Sequence, residues 1–285
     1  KTNQAIFVRE FVKLAEEKNW NYNIIEAFDQ PWKRVSEGAV GGFWGLFDKD
    51  RLDKNVFTGD VSNFPNYKYL GFGSLLLIFG FSFLLKNSNI STKRVVLFSF
   101  INTIFAVLYM LQMEQFNITV RSSGEVVWAT LVLLTHLAIY YFVLLNIVKE
   151  SKPKIVGIRE ILTNKIFNVD TLPMILFYSS FIFVLISTII LAFEGRYRNF
   201  EIYIFAISAI SFVLLYGGRF VNMKFKAFEK LSFIVLLITS IISFYNEGSL
   251  NIFSNIWIII ALIFTYILFQ GSKNSSFSEL KIIAK

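Results

Sequence analysis

From residue 69 onward the chain is apolar in seven runs, separated by short polar loops, as far as residue 270. The runs cover roughly 69–85, 95–113, 126–148, 172–193, 200–217, 230–245 and 252–270. A helix needs about 17–25 apolar residues to cross a bilayer; the sixth run meets this only with a residue or two added at either end. Hydrocarbon offers no water to backbone N–H and C=O groups, so such runs must close their hydrogen bonds internally, as helices do. A 55% hydrophobic content and a mean hydropathy of +0.56 are too high for an ordinary soluble domain of 285 residues. The pattern predicts an α-helical polytopic membrane protein with about seven spans over 69–270 and a tail at 271–285.

Charge sorts the loops. Loops 86–94, 149–171 and 218–230 and the tail 271–285 carry three, five, four and three Lys/Arg. The alternate loops 114–125, 194–199 and 246–251 carry one, two and none. Cationic loops stay cytoplasmic, so the C-terminus is expected inside, and seven crossings put residues 1–68 outside. Those first residues are neutral, with ten Lys/Arg and ten Asp/Glu, so the net +8 belongs to the membrane loops. This distribution is membrane topology rather than a nucleic-acid footprint.

The spans carry little chemistry. His136 is the one histidine, and without a carboxylate in a neighbouring span it reads as a helix-packing hydrogen bonder. Glu114 and Glu125 fall at outer span ends and are expected to be solvated. Trp128 and Trp257 fall near the outer ends, where headgroup-level rings are favoured. Loop 151–170 mixes cations with Ile155, Ile158, Ile161, Leu162 and Ile166, the spacing of a helix on the inner membrane surface. With no cysteine, disulfides, thiolate zinc sites and cysteine nucleophiles are excluded.

Residues 1–68 differ in kind. "NQAIFVREFVKLAEEK", 3–18, places Ala5, Val8, Phe11, Val12 and Ala15 at helical spacing, and "NWN" ends it. "YNIIEAF", 22–28, reads as a short strand, apolar on both faces and so expected to be buried on both. A polar and aromatic loop, "DQPWKRVSEGAVGGFWGLFDKDR", follows; Pro31 would interrupt a strand there. Asp48, Asp50 and Asp53 alternate with Lys49, Arg51 and Lys54 as a turn. The order of helix, strand and loop is the tail of an α/β unit. In a (β/α)8 barrel the active site gathers at that end of the strands. About sixty residues cannot close a barrel that takes ~250, so the remaining strands are expected upstream of Lys1.

The stretch "NQAIFVREFV…YNIIEAFDQPWKR…EGAVGGFWGLFD" resembles the last barrel segment of family 17 glycoside hydrolases, the β-1,3-glucanases and β-glucan transglycosylases. It is more closely similar to bacterial membrane-linked members, in which the barrel precedes a multi-span region. The resemblance covers about residues 3–58 and implies residues 1–60 as the end of a barrel, 61–68 as a linker, and a bacterial inner-membrane location. It also implies that Lys33 and Glu37 line the sugar cleft. Gln30 stands where plant members carry a glutamate. Asp29, Trp32 and Trp44 are further candidate substrate contacts, although Asp29 can equally cap the following turn and Trp44 can equally be core. The two catalytic glutamates belong to earlier strands, one of them preceding Gly-Trp-Pro-Ser, and neither motif is present, so no catalytic residue is expected here. Glu26 is the only alternative candidate. A retaining glycosidase needs two carboxyls about 5–5.5 Å apart; a lysine near the nucleophile would keep it ionised.

The implied partners are β-glucan and the lipid bilayer, with no nucleic acid, no cofactor and no metal. The competing expectation is a membrane bundle that translocates glucan or lipid-linked sugar and carries only a sugar-binding appendage.

Overall fold

The computed structural model describes residues 1–86, 88–120, 122–150, 153–164, 171–193, 199–216 and 227–272. Ten α-helices lie among them. The first, α1 (Thr2–Glu17), buries Ala5, Val8 and Ala15, three of the five apolar positions assigned to its inner face. Its N-terminus is capped from afar, as Asn63 Oδ1 accepts from Thr2 N at 3.0 Å. At its C-terminus Asn19 takes φ 53°. Trp20 N reaches Ala15 O (2.9 Å) and Asn19 N reaches Glu16 O (3.2 Å), the paired bonds that close a helix on a left-handed residue. Arg9 then ties α1 to the loop it covers, donating to the carbonyls of Asn55, Val56 and Gly59.

The strand expected at 22–28 is not formed. Among the described residues there are only isolated bridges, Phe28 with Phe47 and Phe47 with Asp53. Ile25, expected to be buried, is 76% exposed. A strand exists by virtue of a ladder partner, and Phe47 alone supplies too little backbone to extend one. The short helix α2 (Arg34–Glu37) follows a 3₁₀ turn, Pro31–Lys33.

Among the described residues, six helices are long and apolar enough to cross a membrane: α3 (Tyr67–Ser82, continued by a 3₁₀ turn to Leu85), α4 (Thr92–Thr119), α5 (Ser123–Lys149), α7 (Leu172–Phe193), α9 (Ala227–Glu247) and α10 (Ile252–Ser272). The seventh predicted span, 200–217, appears as α8 (Ile202–Tyr216), 15 residues long. Helix α8 lies within the bundle against α4, α5, α7 and α10, so it is enclosed mainly by protein. Small side chains, Ser208, Ala209 and Ser211, line its buried surface, which lets neighbouring helices approach closely. Phe177, Phe212 and Phe264 pack around its lower half, Phe177 and Phe212 edge to face at 4.9 Å.

Long-range hydrogen bonds sort the loops into two ends. At one end Asn66 Nδ2 donates to Glu114 (2.7 Å), Gln115 Nε2 to Phe200 O (3.0 Å) and Asn246 Nδ2 to Ala192 O (2.9 Å). At the other, Arg94 donates to Ile147 O (2.9 Å) and Ile158 N to Glu229 (3.2 Å). The apolar helices therefore alternate in direction as the loop charges anticipate, with α8 counted among them.

Several membrane expectations change. Trp257 is fully buried and donates to Thr188 Oγ1 (3.2 Å), and Trp128 donates to Glu201 (3.3 Å). Both indole N–H groups thus find protein acceptors inside the bundle instead of facing headgroups. Glu114 is bonded to Asn66 rather than merely solvated. The loop helix is α6 (Ile158–Asn164). Ile161 and Val156 are buried and Leu162 is exposed, so this segment packs on the bundle, held by Glu229. Ile166 and the tail from 273 lie outside the described residues. His136 does act in packing. Its Nδ1 lies 2.7 Å from the Val132 carbonyl, which can only accept, so Nδ1 carries the proton and Nε2 faces Ser180 Oγ at 3.4 Å.

Candidate functional site

The backbone from Glu26 to Asp29 runs alongside Leu46 and Phe47. Leu46 N donates to Glu26 O (3.2 Å), Phe47 N to Ala27 O (2.9 Å) and Asp29 N to Phe47 O (2.9 Å). Gly45 permits this approach, since a Cβ there would stand 2.1 Å from Phe28 C and Asp29 N. Glu26 itself has φ 67°, a left-handed value that costs a side-chain-bearing residue about 1–2 kcal/mol. Such strain clusters at binding and catalytic sites.

The Glu26 side chain receives Lys33 in an ion pair whose members are only 14% and 17% exposed. Gln30 Nε2 reaches the other Glu26 oxygen at 3.5 Å. Pro31 starts the 3₁₀ turn with its φ already set and α2 continues it. Gln30, Lys33 and Glu37 therefore follow one another on the same side of consecutive turns. The Glu26 hydrogen bond holds the Lys33 ammonium above the ordinary lysine range, and the charge of Glu37 adds to this. Glu37 Oε2 is shielded from solvent yet has no hydrogen-bond partner among the described residues. Trp32 is 68% exposed, and Lys33 Nζ lies over its ring, 5.8 Å from the centroid. No family model, no curated protein and no solved structure matches the chain.

The sequence candidates therefore fall into two groups. Glu26, Gln30, Lys33 and Glu37 come together, with Trp32 beside them. Asp29 faces elsewhere, its Oδ1 accepting from Lys54 Nζ (2.8 Å) and Gly45 N (3.0 Å). Lys54 is only 8% exposed and also donates to the carbonyls of Phe43 (3.0 Å) and Gly45 (2.7 Å). Asp29 thus closes the loop's fold. Trp44 is partly exposed, and its carbonyl accepts from Gln4 at 2.7 Å. Asp48 and Asp53 turn their carboxylates onto nearby backbone N–H groups, as expected of a turn.

Three residues that matter to this site carried no sequence signal. Lys54 lies 25 positions from its partner Asp29, and Gln4 lies 40 from Trp44. Arg34, within the quoted motif, donates to the carbonyls of Ile118 (3.3 Å) and Val120 (3.2 Å) at the end of α4. It thereby seats the polar cluster on the end of the membrane bundle.

Proposed function

We propose that Glu26, Gln30, Lys33, Glu37 and Trp32 form the rim of a sugar cleft in a membrane-anchored, β-glucan-active glycoside hydrolase or transglycosylase of the retaining kind. The observation that carries this reading is the shielded, unpartnered carboxylate oxygen of Glu37 beside an ordered ion pair and an exposed tryptophan. A shielded acceptor without a donor is rare and needs a cause; in this reading the missing donor is a sugar hydroxyl that reaches Glu37 when substrate binds. An exposed indole offers an apolar face to a sugar ring, with neighbouring polar groups fixing its register. In this arrangement Glu26 positions Lys33, and the two catalytic carboxylates of a retaining mechanism are contributed from outside these 285 residues. In this reading the cluster lies on the extracytoplasmic side of a bacterial inner membrane, opposite the cationic loops.

The test is digestion of β-1,3-linked oligosaccharides, with product sizing, by the protein carrying its upstream sequence. Shorter products indicate hydrolysis and longer ones transfer, because both share the covalent intermediate. Unchanged substrate sinks both. The 285 residues alone are expected to bind such oligosaccharides without cleaving them, and W32A and E37Q to weaken binding while helicity stays intact. Robust cleavage by the 285 residues would return Glu26 to a catalytic role.

A second reading, translocation of glucan or lipid-linked sugar through the bundle, draws on buried polar atoms without hydrogen-bond partners at Gln112, Ser243 and Ser254. It predicts sugar transport in vesicles that survives W32A and E37Q.

A further inference from the structure

At the end of the bundle away from the polar cluster, a cavity of about 700 Å³ opens between the C-terminal turn of α3 and the last turn of α5. Phe83 and Leu145 contribute apolar wall; Lys86, Ser88, Asn89 and Lys149 contribute polar groups. Glu150 also lines it, but its carboxylate is bound by Arg94 Nε at 2.9 Å. The same arginine donates to the Ile147 carbonyl, one of the groups that make the end of α5 negative. Arg94 thus offsets both sources of negative potential. Lys86 and Lys149 have no carboxylate partner, and the Asn89 amide no hydrogen-bond partner, among the described residues. The cavity is left with two free cations and an uncommitted amide.

Its position defines what enters. The cavity sits where two apolar helices end, the level at which a spanning helix meets headgroups. Helix α3 is also the least enclosed of the six long helices: 6% of its most apolar stretch is buried, against 33–44% in the others. Phe72, Leu75, Leu76, Phe79 and Phe83 are exposed along it and form an apolar track leading to the opening. An acyl chain fits the track, and a phosphate fits the two ammonium groups and the amide. We propose that the cavity binds the phosphate headgroup of an anionic phospholipid whose acyl chains lie along α3. The shared chemistry is a phosphate-bearing anion; the track identifies the diacyl lipid as its source.

The experiment is native mass spectrometry of the full chain released from micelles holding equal phosphatidylglycerol and phosphatidylcholine. The wild type should retain phosphatidylglycerol at least thirtyfold more. K86Q and K149Q should each lose about fivefold of this preference and the double variant about thirtyfold, since one cation near an anionic headgroup contributes roughly fivefold. The single variants decide the matter if the double does not fold. K93Q, at the same end but outside the cavity, should match the wild type. Equal retention of the two lipids, or an unchanged preference in K86Q and K149Q, overturns the proposal. An equal loss in K93Q means only diffuse surface charge and overturns it too. Complete displacement by millimolar glycerol phosphate would show that phosphate alone is read, and overturns the lipid assignment.

Discussion

Removing Lys54 should open the loop that carries the polar cluster. Asp29 and Lys54 are 7% and 8% exposed, and Lys54 Nζ also holds the Phe43 and Gly45 carbonyls. Lys54→Met leaves a shielded carboxylate with one remaining donor, Gly45 N. Removing one partner of a buried ion pair costs about 3–5 kcal/mol, roughly a hundred- to several-thousandfold in the local opening equilibrium. Asp29→Asn keeps the acceptor for Gly45 N and loses only charge, so its cost should be about 1–2 kcal/mol. The double variant D29L/K54M, with no buried charge, should be less destabilised than K54M alone. Hydrogen–deuterium exchange of peptides spanning 26–56 measures this, with peptides from α4 and α5 as an internal reference. The reasoning fails if K54M changes exchange there by less than about threefold, or if the double variant is as open as the two singles combined. If D29N weakens oligosaccharide binding while exchange is unchanged, Asp29 contacts sugar after all.

Glycine contacts give a matched pair of predictions. G45A drives a Cβ into backbone at 2.1 Å and should disorder 26–47 by proteolysis, whereas at Gly73 the nearest atoms are the flexible Met110 Cε and Sδ, and G73A should leave α3 helical and the melting temperature within a few degrees. Arg34→Ala removes both donors to the end of α4, and should speed proteolysis between residues 55 and 66 without changing the far-ultraviolet spectrum of the bundle. Tyr140→Phe removes the donor to Asn102 O (2.7 Å). It should cost about 0.6 kcal/mol, the mean for interhelical hydrogen bonds in membranes, measured by denaturation in mixed micelles. Lys33 has a raised folded pKa, so the stability it contributes is fully present below the ordinary lysine value of about 10.4 and is lost as pH rises through the raised one. Trp32 fluorescence should report that transition, and E26Q should move its midpoint to lower pH; equal midpoints would refute the pairing.

What the sequence made legible was whatever follows from local periodicity. Helix α1, the apolar helices and their alternating direction all come from residue spacing and loop charge. The strand at 22–28 was misread because a short β-rich run, apolar on both faces, suits a sheet but does not say whether a partner strand is present. Trp128 and Trp257 were misplaced for a related reason. An indole near a span end suits a headgroup and an internal acceptor equally, and Glu201 and Thr188 lie 73 and 69 positions away. Within the polar cluster, Lys33, Glu37 and Gln30 were singled out by resemblance alone, and the turn and short helix that bring them together were read as loop. The position of Asp29 was decided by Lys54, which no short-range pattern links to it.

The contacts at the end of α4 bear on how the cluster and the bundle act together. Arg34 lies between Lys33 and Glu37, on the same short helical segment, and its guanidinium holds two carbonyls at the C-terminal end of α4, those of Ile118 and Val120. Asn66 binds Glu114 one turn earlier on the same helix. The segment is thus fixed to the bundle both within the cluster, at Arg34, and where the chain enters α3. Two separated attachments restrict rotation as well as distance, so the orientation of Trp32 and Glu37 follows that of α4. A freely tethered sugar-binding region would need neither bond. The polar cluster is thus held in a set orientation relative to α4. Arg34→Ala therefore separates anchoring from orientation. On the proposed function, in the protein carrying its upstream sequence, it should leave membrane embedding and oligosaccharide affinity in micelles unchanged while lowering activity on vesicle-bound glucan. Equal activity of R34A and wild type on vesicle-bound glucan would show that the spans only anchor.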